Sequence, residues 1–142
     1  MKTVAQLLAL KLSGIVAVAP DVTVLDAVKL LAEKNVGAVL VMDGPRLVGI
    51  FSERDYARKV ALKGKSSADT PVREIMTREV LFVTPTHTNE DCMALMTYKR
   101  IRHLPVVAND QVVGILSIGD LVKDIISEQQ FMISQLESYI HH

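Results

Sequence analysis

Two short phrases hold the residues best suited to chemistry: GIFSERD at 49–55 and GILSIGD at 114–120. In each, a serine (Ser52, Ser117) closes an apolar run and an aspartate (Asp55, Asp120) follows three residues later. A hydroxyl at the start of a helix lies beside backbone N–H groups that lack a partner within the helix, a setting that suits phosphate. A carboxylate in the first turn is kept ionised by the helix dipole and only accepts hydrogen bonds, so it can take both hydroxyls of a ribose. Gly49 and Gly114 have no Cβ and permit close approach to the backbone. Arg54, with Arg58 and Lys59 a turn later, adds a cation that the second phrase, with Gly119, lacks. Two sites built this way should differ in affinity or in ligand. The plainer reading makes the two aspartates helix caps and the arginines a solvated face.

These phrases belong to a duplication. Residues 16–60 align with 81–125 without a gap, matching Val18 with Val83, Pro20 with Pro85, Thr23 with Thr88, Asp26 with Asp91 and Leu30 with Leu95. Each copy begins with a short extended run, Ile15–Val18 or Val80–Val83. A helix follows, opened by Thr23 or Thr88 in the cap-like patterns TVLD and TNED. Val24, Ala27, Val28, Leu30 and Leu31 recur at helical spacing in the first copy; Cys92, Met93, Leu95 and Met96 fill that stretch in the second. Then come two hairpins, AVLVM to LVGIF across Asp43-Gly44-Pro45 and LPVV to VVGIL across Asn109-Asp110. A last helix starts at Glu53 and runs to about Lys63 in the first copy, and starts at Ile118 in the second. The expected class is mixed α/β, two β-α-β-β-α units, with the organisation 1–14 N-terminal helical segment, 15–63 first repeat, 64–79 linker, 80–126 second repeat and 127–142 C-terminal helix. VREIM in the linker reads as one helical turn. On the C-terminal helix Ile125, Ile126, Phe131, Met132, Ile133, Leu136, Tyr139 and Ile140 form an apolar stripe that either folds back or pairs with a partner chain.

The composition of the 142 residues narrows the function. Apolar residues at 49% suffice for a core, and sixteen basic against sixteen acidic side chains leave no net field to attract nucleic acid or anionic lipid. The lone Cys92 cannot form an internal disulfide, which fits a reducing, cytoplasmic setting; it reads as inert core, as do Met93 and Met96. No apolar run approaches the roughly 20 residues needed to span a bilayer. The first twenty residues have a faint signal-peptide look, but Lys11 interrupts their apolar centre and Ile15 to Val18 is claimed by the repeat. Four scattered histidines make no metal site. His141 and His142 are native or the remnant of a tag. No nucleophile-and-base motif or Gly-rich phosphate loop of an enzyme is present, so no catalytic residues are expected.

The P-x-x-T-x-x-D-A/C helix start, HLPVV at 103–107 and the twofold G-I-F/L-S-x-x-D resemble a tandem pair of cystathionine-β-synthase (CBS) domains, a Bateman module, over nearly the whole chain. It is most similar to free-standing bacterial two-repeat proteins. The resemblance implies two repeats packed about a pseudo-twofold axis with two clefts for adenine nucleotides: AMP, ADP, ATP, NAD or S-adenosylmethionine. It gives Asp55 and Asp120 the ribose, beside Ser52, Ser117 and Arg54, which the residue types alone already place near phosphate. It places backbone at Ala17, Ala38, Phe82, Arg102 and His103 around the adenine, with Ile50 and Ile115 flanking it; Arg102 and His103 also reach phosphate. His103 is equally well read as a structural histidine. The implied role is a regulatory sensor that changes inter-repeat or dimer geometry and signals to an unidentified downstream protein, with a homodimer expected. The alternative is a dimerisation or scaffolding module with no ligand.

Overall fold

In the computed structural model, which describes residues 1–11 and 14–141, the duplication sets the order of elements. These are α1 (Val4–Ala9), β1 (Ala17–Val18), α2 (Val24–Lys34), β2 (Ala38–Asp43), β3 (Arg46–Ser52), α3 (Glu53–Asp55), α4 (Asn89–Lys99), β4 (His103–Ala108), β5 (Gln111–Ser117) and α5 (Ile118–Ile140). A π-helical stretch, Tyr56–Ala61, continues α3, and a single 3-10 turn, Val72–Glu74, lies in the segment between the copies. The chain divides into two compact units. One comprises Met1–Ser13, Phe82–Ala108 and Val113–His142; the other comprises Gly14–Leu81 and Asn109–Val112.

In the unit built on Gly14–Leu81, β1 pairs in parallel with β2, and β2 pairs antiparallel with β3. Alternation along the strands sends Val39, Val41 and Phe51 to one face, where they pack with Val24, Ala27 and Leu31 of α2. Val72 and Ile75 from the expected linker complete this core and are almost fully buried. α2 opens on Thr23, whose hydroxyl accepts from the Asp26 N–H, and ends at Asn35 in the left-handed region. The helix after Ser52 departs from the expected α-helix to Lys63: Leu62 N–H donates to Ala57 O and Lys65 N–H to Val60 O, five residues back. This widening places Val60 in the core and turns Lys59 toward Ile75 O.

The other unit repeats the plan with β4 and β5 under α4, and its core holds Cys92, Met96, Leu104, Val106, Leu116 and Leu121. Thr88 and Asp91 form a reciprocal capping box, and α4 ends at Arg100 in the left-handed region, 65 positions after Asn35. The expected strand Val80–Val83 does not form; Val83 alone bridges Val106, donating to Pro105 O and accepting from Val107 N–H. The second half of the C-terminal stripe is likewise no separate element, because α5 runs unbroken from Ile118 to Ile140. The reading of that stripe as folded back is thereby corrected: after Gly119 no Gly or Pro offers a break.

α1 also differs from expectation, for it is part of the repeat. Val4 N–H donates to His87 O and Ala5 N–H to Pro85 O, while Val72 N–H donates to Val22 O and Arg73 N–H to Pro20 O. His87 and Pro85 are the duplicates of Val22 and Pro20, so T-V-x-x-L-L at 3–8 does for one unit what P-V-x-x-I-M at 71–76 does for the other. Leu12, Ser13 and His142, which fall within the N- and C-terminal segments named above, lie outside the described residues.

Candidate functional site

The candidate residues separate cleanly by unit. Ala17, Ala38, Ile50, Ser52, Arg54 and Asp55 belong to one, and Phe82, Arg102, His103, Ile115, Ser117 and Asp120 to the other.

In the first group the strand register decides which side chains share a face. Ala38 lies opposite Ser52, Leu40 opposite Ile50, and Ala17 beside Leu40. Residues paired across strands point the same way, so Ala17, Ala38, Ile50 and Ser52 share the face opposite to Val39, Val41 and Phe51. Ser52 then caps the following helix. Its hydroxyl accepts from Asp55 N–H at 3.2 Å, and Asp55 Oδ2 accepts from Ser52 N–H at 3.0 Å. Asp55 is buried, and its other oxygen accepts from Thr77 Oγ1 at 3.1 Å and meets Lys59 Nζ at 3.0 Å.

The second group reproduces this turn. Ser117 Oγ accepts from Asp120 N–H at 3.2 Å, and Asp120 Oδ2 accepts from Ser117 N–H at 2.7 Å. Lys11 Nζ stands 2.9 Å from the same oxygen and donates to Ile115 O at 2.7 Å. Burial raises the Asp120 carboxyl, but the Ser117 amide and the Lys11 ammonium outweigh it and hold the group below the usual carboxylate range. Phe82 and Arg102 are exposed, while His103 and Ile115 are half-buried at the start of β4 and in β5.

Three expectations from the sequence change in this light. The corner read as a set of open N–H donors is partly closed: Glu53 N–H donates to Gly37 O at 3.0 Å and Ile118 N–H to Arg102 O at 2.9 Å, while the third helical N–H is taken by the serine. The glycines make room for protein. A Cβ on Gly49 would meet Met76 Sδ at 2.5 Å and Thr77 O at 3.1 Å, and one on Gly114 would meet Leu8 Cδ2 at 2.7 Å. Cations beside the carboxylate are likewise not confined to the first copy, since Lys11 serves the second. Lys11 and Thr77 escaped the sequence reading because each lies far along the chain from its aspartate. The only signal was the weaker repeat of T-V-x-x-L-L in P-V-x-x-I-M, displaced by three residues from the main alignment.

The model of the family described as "CBS domain" matches residues 10–62 and 72–127. The chain is 42% identical over 125 residues to the CBS domain-containing protein CBSX3, mitochondrial, of Arabidopsis thaliana, covering 84% of this chain and 61% of that protein. It thus spans less than two thirds of that relative's length. A candidate signal-transduction protein with CBS domains from Burkholderia ambifaria has a solved structure that matches with a TM-score of 0.86 at 48% identity, covering 90% of this chain and 96% of that one. The CBS domain pair of protein MJ0100, solved with 5′-methylthioadenosine and S-adenosyl-L-methionine, matches with a TM-score of 0.78 at 25% identity, over 90% and 98% of the two chains. The two small sheets with their helices are thus the mixed α/β fold of CBS pairs.

Proposed function

This chain belongs to the CBS-domain family as a tandem pair, a regulatory module, and from that premise we propose that it is a sensor of adenosine-containing ligands. The observation that carries the reading is the recurrence of one Ser-x-x-Asp turn in both units, joined to the start of the preceding strand pair by the same backbone bond, Glu53 to Gly37 or Ile118 to Arg102. The ligand is AMP, ADP, ATP, NAD or S-adenosylmethionine. Its ribose binds Asp55 or Asp120, its adenine lies against Ala17, Ala38 and Ile50 or against Phe82, His103 and Ile115, and its phosphate, where it has one, meets Arg54 or Arg102. Binding favours one geometry of repeats or protomers over another, which is the only way a ligand can transmit a signal. The protein acts as a cytoplasmic homodimer on a downstream protein and catalyses no reaction. Support comes from the pair solved with 5′-methylthioadenosine and S-adenosyl-L-methionine. Among the described residues no helix is long and apolar enough to cross a membrane.

Calorimetry on nucleotide-stripped protein with AMP, ATP, NAD and S-adenosylmethionine tests this. Heat for at least one ligand, weakened by Asp55→Asn or Asp120→Asn, is expected. No heat and an unchanged melting temperature with all four would instead leave a scaffolding module. One observation favours that second reading: both carboxylates already accept hydrogen bonds from their own unit, Asp55 from Thr77 and Asp120 from Lys11.

A further inference from the structure

α5 changes character along its length. Its first turns rest on the unit that carries it, with Leu121 and Asp124 buried, but residues 129–141 are exposed on every side. Phe131, Met132, Ile133, Leu136, Tyr139 and Ile140 there are each more than half exposed. A helical extension of twelve or so residues is marginal in water without packing, and one this apolar has reason to be covered. The helix is unbroken, so it cannot cover itself by folding back.

The spacing identifies the cover. Val122, Ile126, Gln129, Ile133, Leu136 and Ile140 alternate at four and three residues, the seam of a two-stranded coiled coil, and the five apolar members are 40% to 73% exposed. The charges beside this seam choose the direction. We propose that α5 pairs antiparallel with α5 of a second copy, Ile126 packing on the partner's Leu136 and Val122 on the partner's Ile140. Gln129 then meets the partner's Ile133. In that register Lys123 flanks the partner's Glu137, an opposite-charge contact that the twofold axis makes twice, and Met132 meets the partner's Met132 across the axis. Parallel pairing would put Lys123 beside the partner's Ile118 and Glu137 beside the partner's Met132, with no charge pair. A lipid surface fits poorly, because beyond Lys123 the helix has Asp124, Glu128 and Glu137 and no Lys or Arg. The pairing does not depend on the sensor reading.

Disulfide trapping on the full chain distinguishes the arrangements. Cys92 is buried and does not compete. Ile126→Cys and Leu136→Cys are each oxidised alone and after mixing. In the antiparallel register like positions lie about 15 Å apart along the axis, beyond disulfide reach, whereas unlike ones face each other. A linked dimer is expected in the mixture, at least about fivefold above either variant alone. Linkage of each variant to itself would establish parallel pairing and overturn the proposal. No linkage in any sample would overturn it as well, leaving another protein as the cover. As a check free of seam substitutions, Glu137→Lys raises the dimer dissociation constant about tenfold in sedimentation and Lys123→Glu added to it restores the value. A dissociation constant unmoved by Glu137→Lys would also count against the pairing. Nucleotide calorimetry reads a different property, so failure of one does not imply failure of the other.

Discussion

Lys11 holds Asp120 from outside its own strand and helix: its ammonium stands 2.9 Å from Oδ2 and donates to Ile115 O at 2.7 Å. In the other unit the same work takes three groups. Thr77 N–H donates to Ile50 O at 2.9 Å, Thr77 Oγ1 donates to Asp55, and Lys59 completes the carboxylate. One side chain therefore couples α1 to the candidate site. Lys11→Met removes the ammonium but leaves the burial, so the Asp120 carboxyl should titrate at higher pH than in the parent, and about 1–2 kcal/mol of stability at neutral pH should be lost. An NMR titration of the Asp120 side chain checks this; an unmoved midpoint would show that the Ser117 amide alone sets the ionisation.

The two repeated glycines should respond unequally. Gly49→Ala drives a methyl into Met76 Cγ at 2.8 Å and against the Thr77 carbonyl, which the Ile50 bridge fixes, so the segment must shift. Gly114→Ala meets only the flexible end of Leu8, at 2.7 Å and 3.1 Å. A cost of about 1–3 kcal/mol is expected for the first and under about 1 kcal/mol for the second. Urea unfolding of the two variants measures it, and equal costs would mean that Leu8 is as confined as Met76.

What could be read from the residues follows from what a sequence encodes locally. The gapless duplication placed both hairpins and both Thr-capped helices, since alternation, turn residues and caps act within a few positions. α1 and the segment at 71–76 were not recognised as equivalents, because three residues displace them from the main alignment and their shared task is a pair of backbone bonds to Pro20 and Val22 or to Pro85 and His87. A backbone bond leaves no mark on residue type. For the same reason Ser52 and Ser117 were legible as helix starts, but the carbonyls of Gly37 and Arg102 that occupy the first helical N–H groups were not.

Cys92 should be chemically silent. It is fully buried, and burial together with Asp91 pushes its thiol up to about 11. Only the thiolate is nucleophilic, and at pH 8 it would make up about one part in a thousand. Alkylation by iodoacetamide should therefore be at least about a hundredfold slower than for a free thiol and rise steeply in denaturant. Rapid labelling under native conditions would show that α4 opens readily.

Acid should act on the fold through Asp124. This carboxylate is 6% exposed; Lys2 Nζ lies 2.6 Å from Oδ1, and Asn89 Nδ2 donates to Oδ2 at 2.8 Å while also bonding Leu121 O. Burial favours the neutral acid, but the hydrogen bonds from Lys2 and Asn89 outweigh it and lower the carboxyl below its ordinary value. The unfolded chain then binds the proton more readily than the folded one, so stability rises with pH across the interval between the two values. The contribution is complete above the unfolded value of about 3.9 and is lost as pH falls through the lower folded value. Asp124→Asn should cost about 1–3 kcal/mol at pH 7 and flatten the stability curve between pH 5 and 3. It should not abolish the slope, since Asp91 and Asp120 are lowered too and remain. Urea unfolding at pH 3, 4, 5 and 7 for parent and variant makes the comparison, and parallel curves would remove Asp124 from the acid response.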